Sequence, residues 1–139
     1  LAWSSAASDV YKRQILLSIT KPENKINLLE SNNKKCYFLK KVSHELKLKN
    51  TKIINKTIIK KNELGKFDII TSRAFATIEK TINLTETNAH KNTKYLLLKG
   101  KASNIKKELK DIDKNMFRYE IINQDTTKER NIVLLCKDE

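Results

Sequence analysis

The sequence predicts an α/β domain built on a mostly parallel sheet with helices on both faces. Three observations carry this. Short segments rich in Ile and Leu alternate with longer ones whose apolar residues recur every three or four positions. The last two short segments are separated only by a polar turn, which calls for one antiparallel pair at the sheet edge. Finally, 139 residues with 39% hydrophobic content suffice for one domain with a real core.

The elements follow in order. Residues 15–20 are apolar, stop before Pro22 and read as the tail of a helix. No Pro or Gly lies between Ala6 and Ile19, so that helix can reach back into the preceding residues. Residues 25–30 (KINLLE) read as a strand closing on an acid. Ser31, Asn32 and Asn33 then supply capping side chains. Over residues 34–48, Cys36, Leu39, Val42 and Leu46 share one helical face, with Asn50 as the expected stop. Residues 51–56 are an Ile-rich strand, 63–66 a loop around Gly65, and 67–71 (FDIIT) a strand. Residues 76–88 place Ile78, Ile82 and Thr85 in helical register. Residues 93–99 (TKYLLLK) form a strand that ends at Gly100, and 102–112 a charged, mostly exposed helix. Residues 117–123 and 131–137 are the closing strands. The order is α-β-α-β-β-α-β-α-β-β, with neither repeats nor a linker, so one domain is the simplest reading.

Charge narrows the partner. Lys and Arg number 29 against 16 Asp and Glu, a net +13. Such an excess fits a polyanion such as nucleic acid. Only four of the basic residues are Arg, however, and a chain rich in Lys, Asn and Ile also arises from A- and T-rich coding sequence. No apolar run approaches the roughly 18 residues of a membrane span. Cys36 and Cys136 sit in apolar patterns far from His44 and His90, which excludes a zinc motif and reads as two reduced, buried thiols.

Residues 1–14 (LAWSSAASDVYKRQ) differ in kind. They are rich in Ala and Ser and hold the only Trp, Trp3. The segment resembles a translated adaptor or vector remnant, and is expected to be a non-native leader outside the functional domain of residues 15–139.

In open α/β sheets, ligands bind beyond the carboxyl ends of the strands. Glu30 closes the first strand, where an acid commonly accepts ribose hydroxyls. Ser72, Arg73 and Ala74 follow the 67–71 strand, so the Arg can face a ligand and the small Ala can let it approach. An acid at a strand end or a surface Arg is also often simply solvated or ion-paired. Lys99 and Gly100 close the next strand, the Gly permitting a turn with positive φ. The doublets Lys34-Lys35, Lys40-Lys41 and Lys60-Lys61 are phosphate contacts or solvated faces. Gly65 and Gly100 are the only glycines, so no phosphate-cradling loop is present. A GxSxG elbow, an HExxH pair and a Ser-His-Asp set are also missing.

Taken in order, these stretches resemble the RsmG (GidB) family, which methylates a guanine N7 of 16S, small-subunit ribosomal RNA. The specific parts are the acid-Ser-x-x-Lys of residues 30–34, the Ser-Arg-Ala-Phe-Ala of 72–76 and the Leu-Lys-Gly of 98–100. Around them stand ILLSITKP (15–22) and ERNIVLLCK (129–137). The resemblance implies a class I S-adenosylmethionine-dependent methyltransferase, Rossmann-like in fold. It places Glu30 on the cofactor ribose, Ile58 and Ile59 at the adenine pocket, and Arg73 in the cofactor site. Lys34, Lys35 and Lys99 become candidates for RNA phosphate. It also implies a cytoplasmic monomer acting on ribosomal RNA, with no metal and no membrane. The family carries a Gly-rich loop and a central strand before the segment matching Ile15, and the leader stands in their place. The expectation is therefore an N-terminally truncated domain missing that first strand and loop, and inactive by itself. No catalytic side chain is named, because guanine N7 offers a lone pair and has no proton to lose. Two other readings stay open: a basic RNA-binding α/β module without enzymatic activity, and a nucleotide-binding domain of another chemistry.

Overall fold

The computed structural model describes residues 2–3, 8–73, 75–124, 126 and 129–137, with side chains described from residue 14 onward. The chain divides into two compact units, Leu1–Thr57 and Ile58–Glu139.

The first unit is a parallel layer with β2 at its centre. It comprises β1 (Ala2–Trp3), α1 (Ser8–Thr20), β2 (Ile26–Leu29), α2 (Asn33–Glu45) and β3 (Thr51–Ile54). β2 runs parallel to both neighbours, with Leu28 beside Ala2 on one side and Ile53 on the other. Ile15, Ile26, Leu28 and Leu39 form its core, and Val42, Leu48 and Ile53 pack against it. The two residues Ala2–Trp3 pair with β2 on the side away from β3.

α2 begins as its capping residues require, with the Asn32 side chain accepting from the Lys35 N–H at 3.1 Å. Its end differs from the expected stop at Asn50. Lys47 takes the left-handed conformation at φ 53°. The Leu48 N–H donates to Ser43 O at 2.9 Å and the Lys47 N–H to His44 O at 3.0 Å. This is a Schellman ending, with Leu48 returning to the core. Asn50 serves elsewhere: its Nδ2 faces Ser18 O at 3.0 Å and Asn24 O at 3.1 Å, fastening the turn after α1.

The second unit comprises β4 (Ile69–Arg73), α3 (Ile78–Thr85), β5 (Lys94–Lys99), α4 (Ala102–Glu108), β6 (Phe117–Asn123) and β7 (Asn131–Lys137). β5 pairs parallel with β4 and antiparallel with β7, and β7 pairs antiparallel with β6. The closing hairpin is thus as expected. Ile70, Tyr95, Leu97, Ile105, Leu109, Phe117, Val133 and Leu135 are buried. The Tyr95 and Phe117 rings meet edge to face at 6.4 Å, and the Thr85 hydroxyl lies 3.3 Å from the Tyr95 hydroxyl.

Several boundaries move. β4 starts two residues later than expected, because the Phe67 N–H donates to Asn88 O at 2.9 Å instead of joining the ladder. It runs through Ser72, whose small side chain is buried in alternation with Ile70, so Ser72 and Arg73 end the strand. α3 starts at Ile78 behind its cap Thr77. α4 gives way after Glu108 to a 3-10 turn over Leu109–Asp111, and its inner side buries Ile105 and Leu109. Gly100 does not use the positive φ open to it; among the described residues the glycine with positive φ is Gly65, at 86°. No helix among the described residues is long and apolar enough to cross a membrane.

Candidate functional site

In the first unit, Glu30 follows β2 and is only 2% exposed. Almost every polar atom of this residue is fixed from within the unit. Its N–H donates to Ile54 O at 3.0 Å, extending the β2–β3 ladder by one residue. Its carbonyl accepts from Cys36 Sγ at 3.1 Å. The Asn55 amide nitrogen, in its better-satisfied orientation, donates to the same carbonyl at 3.0 Å and to Ser31 O at 3.2 Å. Carboxylate Oε1 accepts from the Asn32 N–H at 2.8 Å. Oε2 alone is buried with no hydrogen-bond partner. A buried carboxylate oxygen left in that state is costly unless a donor arrives. Cys36 lies beside it, and burial pushes its thiol above the usual range. The Glu30 charge adds to that rise and Lys40 opposes it. Lys34 is exposed and Lys35 half-buried at the start of α2, so both stand on the helix that follows the acid.

The second unit holds the other expected residues. Ile58 is buried and Ile59 is 61% exposed. Their loop is organised by Asn88, which is fully buried. Asn88 and Asn62 exchange side-chain hydrogen bonds at 2.7 and 2.9 Å, and Asn88 Nδ2 also donates to Gly65 O at 2.8 Å. Asn62 Nδ2 reaches Ile59 O at 2.8 Å, and the Thr87 hydroxyl reaches Lys60 O at 2.9 Å. Arg73 is the last residue of β4 and is half-buried. Ala74, expected to give a ligand room, lies outside the described residues.

Lys99 ends β5, but its side chain is only 11% exposed. The ammonium donates to Ala76 O at 2.6 Å and to Glu108 Oε2 at 2.8 Å. The same Glu108 oxygen accepts from the Ile78 N–H at 2.9 Å, at the start of α3. Lys99 and Glu108 together tie down both ends of the Ala76–Ile78 turn. Gly100 follows with its carbonyl held by Asn131 Nδ2 at 2.8 Å, and an added Cβ would meet Glu129 O at an ordinary 3.8 Å. Cys36 and Cys136 are both free thiols; Cys36 is buried and Cys136 half-buried.

Sequence reasoning missed Asn88, Asn55 and Glu108. A signal existed only for Glu108, the single acid in a Lys-rich helix, Ala102–Glu108.

Solved structures that share this fold include a putative methyltransferase from Thermoplasma acidophilum. It is 6% identical, with a TM-score of 0.71 over 99% of this chain and 68% of that one. They also include an rRNA methylase from Streptococcus thermophilus, 9% identical, with a TM-score of 0.65 over 99% of this chain and 87% of that one. The chain therefore has the class I, Rossmann-like methyltransferase fold. Residues 14–133 match the family model of GidB, rRNA small subunit methyltransferase G, and the chain belongs to that family. Ribosomal RNA small subunit methyltransferase G of Brachyspira hyodysenteriae is 39% identical over 126 residues, covering 87% of this chain and 60% of that protein. The protein of the same name from a Marinomonas species is 36% identical over 86 residues, covering 62% of this chain and 41% of its own length. The chain thus spans about half the length of these relatives.

Proposed function

We propose that the chain carries part of the S-adenosylmethionine site of an enzyme that methylates guanine N7 in small-subunit ribosomal RNA. One observation supports this above the others: Oε2 of Glu30 is buried, unpartnered and at the end of a parallel strand. A ribose hydroxyl is a donor of the right kind for it. The remaining atoms of Glu30 are already fixed, so the oxygen is held in place before the ligand arrives. In the second unit, Ile58 and Ile59 are assigned to the adenine ring and Arg73 to the cofactor, on the family resemblance. The cofactor supplies a methyl group activated on a sulfonium. The protein's task is to align N7 with it and to exclude water, which needs positioning and electrostatics and no general base. Lys34 and Lys35 are assigned to RNA phosphate. Lys99 is better read as a positioning residue, since its ammonium is committed to Ala76 and Glu108. We take the working protein to be a cytoplasmic monomer that needs no metal, with residues 1–14 outside its functional domain.

These 139 residues hold only two glycines and no Gly-rich loop. Weak cofactor binding and no turnover are therefore expected of the chain by itself. The same fact favours the second reading, a basic module that binds RNA without a cofactor. Calorimetric titration with S-adenosylhomocysteine separates the two. Under the proposal, binding is weaker than micromolar and falls about tenfold or more in Glu30→Gln, which loses a charge-assisted hydrogen bond. Equal binding by both proteins removes Glu30 from the site. No binding at all, with RNA affinity intact, leaves the second reading.

A further inference from the structure

We propose that the outward face of α2 binds single-stranded RNA, by stacking unpaired bases on Tyr37 and Phe38 between Lys34 and Lys41. The proposal rests on the ribosomal RNA reading above and names a surface for it.

α2 uses its inner face as an amphipathic helix should, burying Cys36, Leu39 and Ser43. Its outer face departs from that pattern. Tyr37 is 73% exposed and Phe38 62% exposed, adjacent in sequence and both uncovered among the described residues. A merely solvated face has no use for two large rings in that position.

The charges around the rings select the partner. Lys34 lies three residues before Tyr37 and four before Phe38. Lys41 lies four residues after Tyr37 and three after Phe38. On a helix, both intervals place side chains next to each other, with Cβ atoms roughly 5–6 Å apart. Each lysine therefore flanks both rings. Both lysines are exposed, and neither forms an ion pair among the described residues. The first turn of α2 carries no acid, and the only one in the helix is Glu45 at its far end. An uncharged protein partner would leave these cations unmatched. An acidic peptide would match them but has no need of flat rings. A nucleic acid strand supplies phosphates for the lysines and planar bases for the rings. A duplex keeps its bases stacked internally, so only unpaired nucleotides can use the rings.

The test uses the whole chain and a labelled single-stranded RNA of about ten nucleotides. A duplex of the same length serves as the comparison, with binding followed by fluorescence anisotropy. The double variant Tyr37→Leu/Phe38→Leu keeps the apolar surface and removes the aromatic faces. It should lose about tenfold or more of single-strand affinity and leave duplex affinity unchanged. Lys34→Gln/Lys41→Gln should reduce the salt dependence of single-strand binding by about 1.4 in the log–log slope. Single-strand affinity unchanged in the Leu variant overturns the proposal. So does a chain that is dimeric by light scattering, becomes monomeric in Tyr37→Ser/Phe38→Ser and binds RNA as before; the rings would then be covered by a second copy. RNA binding that ignores the rings defeats this surface alone. A wild-type chain that binds no RNA at all defeats the ribosomal RNA reading with it.

Discussion

Replacing Lys99 by Met tests whether this strand-end cation holds the fold or waits for RNA. Methionine keeps most of the aliphatic length and removes the charge. The lost ammonium made two hydrogen bonds, to Ala76 O at 2.6 Å and to Glu108 Oε2 at 2.8 Å. A charge-assisted hydrogen bond contributes about 1.5–3 kcal/mol, and removing one partner of a buried pair costs about 3–5 kcal/mol. The Glu108 side chain is 25% exposed and keeps the Ile78 N–H, so solvent and that donor offset part of the loss. The expected destabilisation is about 2–3 kcal/mol after that discount. Glu108→Gln keeps an oxygen that can accept from both Lys99 and the Ile78 N–H but removes the negative charge, and should cost about 1–2 kcal/mol. The two changes should be coupled by about 1 kcal/mol or more in a double-mutant cycle, because each removes the same ion pair. Urea denaturation followed by circular dichroism measures all four proteins. A Lys99→Met protein within about 0.5 kcal/mol of wild type, which is the surface-substitution range, would refute the clamp. So would additive losses. RNA affinity is the second readout: a clamp leaves it nearly unchanged while the protein stays folded, whereas a phosphate contact does not.

Two further outcomes follow from the first unit. Lys47 holds the left-handed position of the Schellman ending at φ 53°, where glycine is unstrained. Lys47→Gly should therefore raise stability by up to about 1 kcal/mol in the same denaturation assay, and a loss of stability would show that the α2 ending is otherwise built. Gln14 is 3% exposed, with neither its Oε1 nor its Nε2 hydrogen-bonded. Gln14→Leu should stabilise the chain by about 1–3 kcal/mol, and an unchanged midpoint would mean that the amide finds partners in solution.

The fold was legible where periodicity and punctuation agreed. The α2 face, the Thr51–Ile54 strand and the closing hairpin all rest on local alternation, and the hairpin bounds are those expected. What was not legible depends on partners distant in sequence. β4 begins at Ile69 because Asn88, some twenty residues on, takes the Phe67 N–H. α2 ends five residues before Asn50, at Glu45, because Leu48 turns back onto the core, and a lysine accepts the strained conformation that a glycine would have announced. The site followed the same division. The position of Glu30 after β2 was legible because strand ends are readable, and its fixed surroundings are mostly its own neighbours, Asn32 and Cys36. Lys99 was placed at the correct strand end, but its role depends on Glu108, the single acid of α4, whose pairing with Lys99 the sequence does not name.

Glu30 and Gln14 are both buried and both hold unpartnered polar atoms, yet the two cases call for different explanations. In Glu30 one carboxylate oxygen, the N–H and the carbonyl are all engaged, and only Oε2 is left over. The surroundings have fixed the position of that oxygen, which is how a binding site stores an unmet hydrogen bond for its ligand. In Gln14 neither end of the amide is engaged, so no direction is specified and no particular donor or acceptor is selected. Gln14 also stands where the Ala- and Ser-rich first residues give way to a Lys- and Ile-rich sequence. An unsatisfied buried group thus points to function only when its own partners aim it. By that criterion the acid after β2 fits the cofactor contact we propose for it, and the amide in α1 is a cost the fold tolerates.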